Sequence, residues 1–208
     1  MANYAQIAFT DAVKSMQEEL GSRAHYARLD NQPAAKLGER EIAFLAARDS
    51  FYLATVLETG WPYVQHRGGE LGFVRALSDA TIGIADMKGN RQYVSLANMK
   101  KDSRVALFFM DYANRRRLKM FALARAIEKD ADRDLARALT PSGYEDAVER
   151  FILFDVQAFS WNCSQYITPR ATFAEVDAAL TPLLSRIKDL ETRLSKYETV
   201  EPLQIAQK

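Results

Sequence analysis

The chain has 208 residues, enough for one sizeable core with helical additions and too few for two large independent domains. Its 28 Lys and Arg against 27 Asp and Glu leave a formal charge of +1, so there is no global field to draw in nucleic acid or an anionic membrane. Cys163 is the only cysteine, which excludes an intrachain disulfide and a cysteine-rich metal site; with no signal-like N-terminus and no apolar run of bilayer length, a soluble cytoplasmic protein is expected.

Two helices are predicted first. Over 8–20, Phe9, Val13, Met16 and Leu20 recur at helical spacing, with Thr10 or Asp11 as an early cap, and the helix is expected to lie against the body. Over 37–48, Leu37, Ile42, Phe44 and Leu45 repeat the pattern. From Ser50 the apolar period shortens: 50–59 reads as a strand, Gly60, Trp61 and Pro62 as a turn into 63–66, and 71–77, 81–85, 104–112 and 118–127 as further strands. Hairpin-sized connections favour an antiparallel sheet or small barrel over repeated βαβ units. A charged helix over 130–139, a break at Thr140-Pro141-Ser142-Gly143 and a helical turn over 144–150 precede a strand over 151–159, whose mixed spacing suggests burial on more than one side. Last comes a long helix over 172–197, where Phe173, Val176, Leu180, Leu183, Leu184, Ile187, Leu190 and Leu194 recur at three- and four-residue steps and Pro182 kinks the helix or starts a new one. That stripe faces a second subunit or the chain's own barrel, and the pattern leaves both open.

Residues 81–100, TIGIADMKGNRQYVSLANMK, gather the densest set of polar donors. A β-like run breaks at Lys88, Gly89, Asn90, Arg91 and Gln92 and restarts as a short helix near Ser95. Such a loop can hold a phosphate, because free N–H groups at a helix start point outward beside cationic side chains. A solvated turn reads equally well, and neither the Walker spacing nor the dinucleotide glycine pattern is present. In YVQHRGG, residues 63–69, Gln65, His66 and Arg67 precede two glycines at a strand end. His25 and His66 alone do not make a metal site. Arg115, Arg116, Arg117 and Lys119 form a basic corner that reads as a solvated hairpin rim ahead of a contact to nucleic acid or to an anionic substrate. In FSWNCSQYITPR, residues 159–170, Trp161 can cover a planar ring while Asn162, Gln165 and Arg170 satisfy polar edges. Cys163 lacks the His and Asp spacing of a nucleophile.

Together, VQHRGG at 64–69, IADMKGNRQYVSLANM at 84–99, RVALFFMDYANRRRLKMFALARAI at 104–127 and AFSWNCSQYITPR at 158–170 resemble the flavin-binding split-barrel family related to pyridoxamine 5'-phosphate oxidase. The resemblance covers about 49–170. It implies a mainly β fold with flanking helices, a six-stranded antiparallel split β-barrel, in a homodimer with FMN in the grooves between subunits. The implied organisation is a helical segment at 1–48 packed on the barrel, an FMN-binding barrel at 49–170, and a C-terminal helix and tail at 171–208. By the same resemblance Lys88, Asn90, Arg91 and Gln92 surround the FMN phosphate and Ser95 adds a hydroxyl. Arg67 contacts the cofactor, His66 and Gly68 approach the ring or ribityl chain, and Trp161, Gln165 and Arg170 reach the flavin from either subunit.

The vitamin B6 oxidases carry a lysine after the arginine of the phosphate loop, where this chain has Gln92. Their late Arg-x-His substrate motif has no counterpart in WNCSQYITPR. The resemblance thus implies an FMN-dependent oxidoreductase passing hydride or electrons to and from an unidentified small molecule, with NAD(P)H as a donor and no catalytic acid or base assigned. The other readings are a non-enzymatic FMN-binding or sensing protein, pyridoxamine 5'-phosphate oxidase itself, and a split-barrel nucleic-acid module. A membrane is not expected as a partner, nor a metal as a cofactor.

Overall fold

The computed structural model describes residues 2–161 and 164–198, so Asn162 and Cys163 lie outside the described residues. The chain divides into two compact units, Met1–Ile167 and Thr168–Lys208. The first unit opens with α1 (Tyr4–Ala8), α2 (Asp11–Glu19), α3 (Arg23–Ala27) and α4 (Glu39–Ala46). The helix expected over 8–20 is α2, capped by the Thr10 hydroxyl, which accepts the Val13 N–H at 3.4 Å; α1, ended by Phe9, precedes it and was not expected. α2 buries none of its side chains, and Val13, Met16 and Leu20 are exposed. α4 begins past Leu37, where the Glu41 carboxylate accepts the Gly38 N–H at 3.1 Å.

The sheet comprises β1 (Ser50–Val56), β2 (Pro62–Gly68), β3 (Arg75–Ala76), β4 (Thr81–Met87), β5 (Arg104–Asp111), β6 (Arg116–Glu128) and β7 (Val148–Trp161). Its order is β2-β1-β5-β6-β7-β4-β3, antiparallel at every ladder. Among the described residues the sheet has seven strands, as the segments read one by one suggest, where the family resemblance implies six; the third is cut to the two residues of β3. The rest of 71–77 is not extended: Gly72 sits at φ 78 with its N–H on the Arg48 carbonyl, and Phe73 N–H turns back to the Glu70 carbonyl. The helical turn expected over 144–150 is cut short: Ala147 and Val148 N–H return to the Tyr144 carbonyl, but β7 begins at Val148, paired with Met87.

Alternation in β5 buries Val105, Leu107 and Phe109 on one face. Phe51 stacks on Phe109 at 4.9 Å and meets Phe154 edge-on at 6.1 Å. β7 is buried without alternation from Phe151 to Phe154 because it is covered twice. Ile152 and Phe154 join the main core, while Phe151 and Leu153 meet Leu135 and Leu139 of α6 (Arg133–Leu139). α5 (Val94–Lys101) follows β4, and α7 (Phe173–Glu198) belongs to the second unit and carries Pro182 inside it.

Asp111 closes the β5–β6 hairpin, taking the Asn114 N–H at 3.1 Å and Arg116 at 3.0 Å, with Arg48 at 3.5 Å. Burial opposes its charge, but these donors outweigh it and hold its pKa below the ordinary carboxylate range. A depressed folded pKa gives stability that is present above the unfolded value, ~3.9, and is lost as pH falls through the folded one. Asp111→Asn is expected to cost about 1–2 kcal/mol at pH 7, discounted because Arg116 is half exposed. The deficit should shrink below about pH 4; urea unfolding at pH 7 and pH 3 checks both statements.

Candidate functional site

The end of β2, the end of β4 and the first turn of α5 meet around a cavity of about 260 Å3. Period-two alternation turns Gln65 and Arg67 of β2 into it and leaves His66 exposed on the other face, its ring 5.8 Å from that of Tyr52. β4 contributes Asp86, the loop contributes Asn90 and Arg91, and α5 contributes Ser95.

Asp86 is 7 % exposed and is held on both oxygens: Arg67 Nη1 donates to one at 2.7 Å and Arg150 Nη1 to the other at 2.7 Å. Arg150 also lies 3.1 Å from Glu149. Burial works against the Arg150 cation, but Asp86 and Glu149 outweigh it and raise its pKa above the ordinary guanidinium value. Arg67 Nε is buried and has no hydrogen-bond partner, an orphaned donor in a side chain of the cavity wall.

The start of α5 is left open. Tyr93 occupies the cap position without a side-chain cap bond, so the first N–H groups of an eight-residue helix face the cavity region uncapped. Arg91 (φ 60) and Tyr93 (φ 54) are both left-handed, a conformation that non-glycine residues adopt at a cost and that concentrates at binding sites. The Tyr93 hydroxyl donates to Glu149 at 3.2 Å and accepts from Arg91 Nε at 3.3 Å, and this bond raises the Arg91 pKa. Asn90 Oδ1 accepts the Gln92 N–H at 3.2 Å, while Ser95 donates its hydroxyl to Gln65 Oε1 at 2.7 Å.

This donor set suits a phosphate. Open helix N–H groups and the Arg91 guanidinium are donors from which an oxyanion accepts, Arg67 adds positive charge to the wall, and the carboxylates there, Asp86 and Glu149, are already paired with arginines. One cavity of 260 Å3 is smaller than the ~300–1,000 Å3 of ordinary ligand sites. A second, about 280 Å3, shares Met87 with it and is walled by Gly68, Gly69, Phe73, Ala85, Pro141 and Tyr144, surfaces that suit a planar apolar ring. A Cβ on Gly69 would lie 2.7 Å from Phe73 Cγ. Gly69→Ala is therefore expected to displace Phe73 at a cost of about 1–3 kcal/mol, read by urea unfolding.

Four of the expected residues, Arg67, Asn90, Arg91 and Ser95, line the first cavity, and Gly68 lines the second. Lys88 and Gln92 flank the loop, Lys88 with its N–H on the Ala147 carbonyl. Trp161 stands apart: it donates to Glu41 at 2.7 Å, meets Phe44 edge-on at 4.8 Å and lies under Arg40 at 4.2 Å. Gln165 is exposed beyond β7, and Arg170 belongs to the second unit. The basic corner is dispersed, with Arg116 on Asp111 and Lys119 over the Tyr4 ring at 5.1 Å. Sequence reasoning missed Asp86, Tyr93, Glu149 and Arg150. Only Asp86, a carboxylate inside an apolar strand run, gave any signal.

Among the described residues no three His, Cys, Asp or Glu side chains gather to hold a cation, and no helix is long and apolar enough to cross a membrane. A family model described as Pyridoxamine 5'-phosphate oxidase matches residues 38–160. The chain belongs to this FMN-binding split-barrel family. The solved structures similar to this family member are distant in sequence. One, provisionally named pyridoxamine 5'-phosphate oxidase, from Lactobacillus delbrueckii, is 22% identical over 60% of this chain and 93% of its own, with a TM-score of 0.46. An FMN-binding protein from Syntrophomonas wolfei is 14% identical over 74% and 96%, TM-score 0.44. A FAD-binding protein from Mesorhizobium loti is 16% identical over 62% and 97%, TM-score 0.43. No curated protein matches the chain.

Proposed function

We propose that this member of the split-barrel family binds FMN and acts as an FMN-dependent oxidoreductase on a small molecule. The observation that carries the reading is the uncapped start of α5 beside Arg91 and the orphaned Arg67 Nε. Arg91, Asn90 and the α5 N–H groups hold the phosphate, and Lys88 and Gln92 flank it. Asp86 keeps Arg67 in the wall through Nη1, with Nε buried and unpartnered. Gly68 and Gly69 let the backbone approach the ring closely, while Phe73 and Tyr144 exclude water from it. When bound, the flavin supplies an acceptor for hydride or electrons, which the twenty side chains cannot. The titratable groups beside the second cavity are Glu70 and Tyr144.

In this reading the molecule is a homodimer of split barrels, and Trp161 and Gln165 act on the ring site from the partner subunit, since within its own chain the Trp161 indole is taken up by α4. Family membership, matched over residues 38–160, supports the FMN barrel; Trp161 and Gln165 lie beyond the matched residues. The test is titration of the purified protein with FMN, followed by anaerobic addition of NADH or NADPH and then oxygen. Saturable binding with bleaching by one donor and recovery with oxygen is expected. Absence of saturable binding overturns the flavin reading; binding without reduction by any donor replaces the oxidoreductase with a flavin-binding or sensing protein.

A further inference from the structure

The second unit carries a pattern that flavin chemistry does not use. Phe173, Val176, Leu180, Leu183, Ile187, Leu190, Leu194 and Tyr197 follow one another at steps of three, four, three, four, three, four and three. That is an unbroken heptad seam along α7, with Phe173, Leu180, Ile187 and Leu194 at the a positions and the other four at d. A helix packing on an ordinary protein surface shows a broader stripe of period 3.6, which drifts away from strict heptads by about 20° each. All eight residues are exposed, Ile187 at 51 % and Leu183 at 59 %. α7 is 26 residues long, or about 39 Å, which is ample for a coiled coil. Thr172 and Glu175 start it with reciprocal bonds: Thr172 N–H donates to Glu175 Oε2 at 2.7 Å, and Glu175 N–H to Thr172 Oγ1 at 3.2 Å.

We infer that α7 pairs with α7 of a second copy of this chain as a parallel, in-register, two-stranded coiled coil. Three features select that occupant and direction. Ile187 at a followed by Leu190 at d is the combination that favours two parallel strands. In that arrangement Arg186, at g, faces Glu191, at e of the next heptad in the other copy, so the flanking charges attract. In the antiparallel arrangement g faces g, and Arg186 meets Arg186. Within one chain Arg186 contacts Asp189 at 3.0 Å in an exposed pair, which a second helix can exchange for Glu191. Pro182 falls at c, on the outer side of the seam, so the bond it removes from the helix leaves the a and d layers continuous.

The coiled coil stands independently of the flavin reading, and so does its test. In the full chain, with Cys163→Ser removing the native thiol, Leu190→Cys (position d) and Ser185→Cys (position f, outer face) are compared under mild oxidation on non-reducing gels. Facing d positions bring the two sulfurs within disulfide reach. Leu190→Cys is expected to form a covalent dimer at least tenfold faster than Ser185→Cys, and Leu183→Cys, one heptad earlier, to behave like Leu190→Cys. Adding Arg186→Glu to Leu190→Cys should slow linking severalfold, and adding Glu191→Arg as well should restore it. Equal rates at d and f overturn the proposal. So does faster linking in a mixture of Leu180→Cys with Leu190→Cys than in Leu190→Cys alone, because antiparallel helices place a against d. FMN is absent throughout, so no result here bears on whether the flavin binds.

Discussion

Asp86→Asn is expected to lower the free energy of unfolding by roughly 3 kcal/mol, the low end of the cost of breaking a buried ion pair by removing one partner. Asp86 is the shared counter-ion of two guanidiniums, and the side chains of Arg67 and Arg150 are only 20% and 13% exposed. Without the carboxylate, two cations are left close together with little water, although their residual exposure keeps the cost from the upper end of the range. For a chain of this length the melting temperature should fall by about 6–12 °C. Because Arg67 lines the cavity, its release should be felt by an anion: phosphate or FMN is expected to recover part of the lost stability in the variant. Denaturant unfolding with and without phosphate is the measurement. A variant as stable as the parent, with no response to phosphate, would remove the ion-pair account and weaken the anion site with it.

Arg91→Ala is expected to reduce FMN affinity about 10- to 100-fold, the usual consequence of losing a charge-assisted donor to phosphate. Its folding stability should stay unchanged, since the bond to the Tyr93 hydroxyl is long, at 3.3 Å, and exposed. Arg91→Lys should recover only part of the affinity, because an ammonium keeps the charge and loses the planar fork. The difference in affinity between the parent and Arg91→Ala should narrow as salt rises, as it must for a solvent-exposed charge. Flavin fluorescence titrations at two ionic strengths read all three effects. Equal affinities for parent and Arg91→Ala would take the phosphate away from this loop.

The strands with clean alternation or strong β composition were legible in advance: β1, β4, β5 and β6 lie where the 50–59, 81–85, 104–112 and 118–127 segments were expected. A period of two reports burial on one face, so a strand covered once announces itself. β7 could be read only in part, because α6 covers its second face and the alternation disappears between Phe151 and Phe154. Its first residues read as a helical turn in the sequence, which hides Glu149 and Arg150. The turn at Gly72 spoiled the 71–77 segment for a different reason: a single positive φ, satisfied by the distant Arg48 carbonyl, ends a run whose side chains alone look extended.

The amino-acid sequence by itself determined the class of fold, the loop at 88–92 as the richest donor set, and the placement of the chain in a flavin-binding family, because each depends on local residue order. It also determined the heptad seam of α7, a purely one-dimensional pattern. Tertiary structure alone decided which arginine is available. Arg67 and Arg150 come from strands far apart in the chain, β2 and β7, and meet only because both reach Asp86 on β4. Charge pairing over such separations depends on which strand ends the sheet order brings together, and no spacing rule carries that information. The same holds for Trp161, whose indole is taken up by Glu41, Arg40 and Phe44 of α4, a partner helix some 120 residues earlier in the chain.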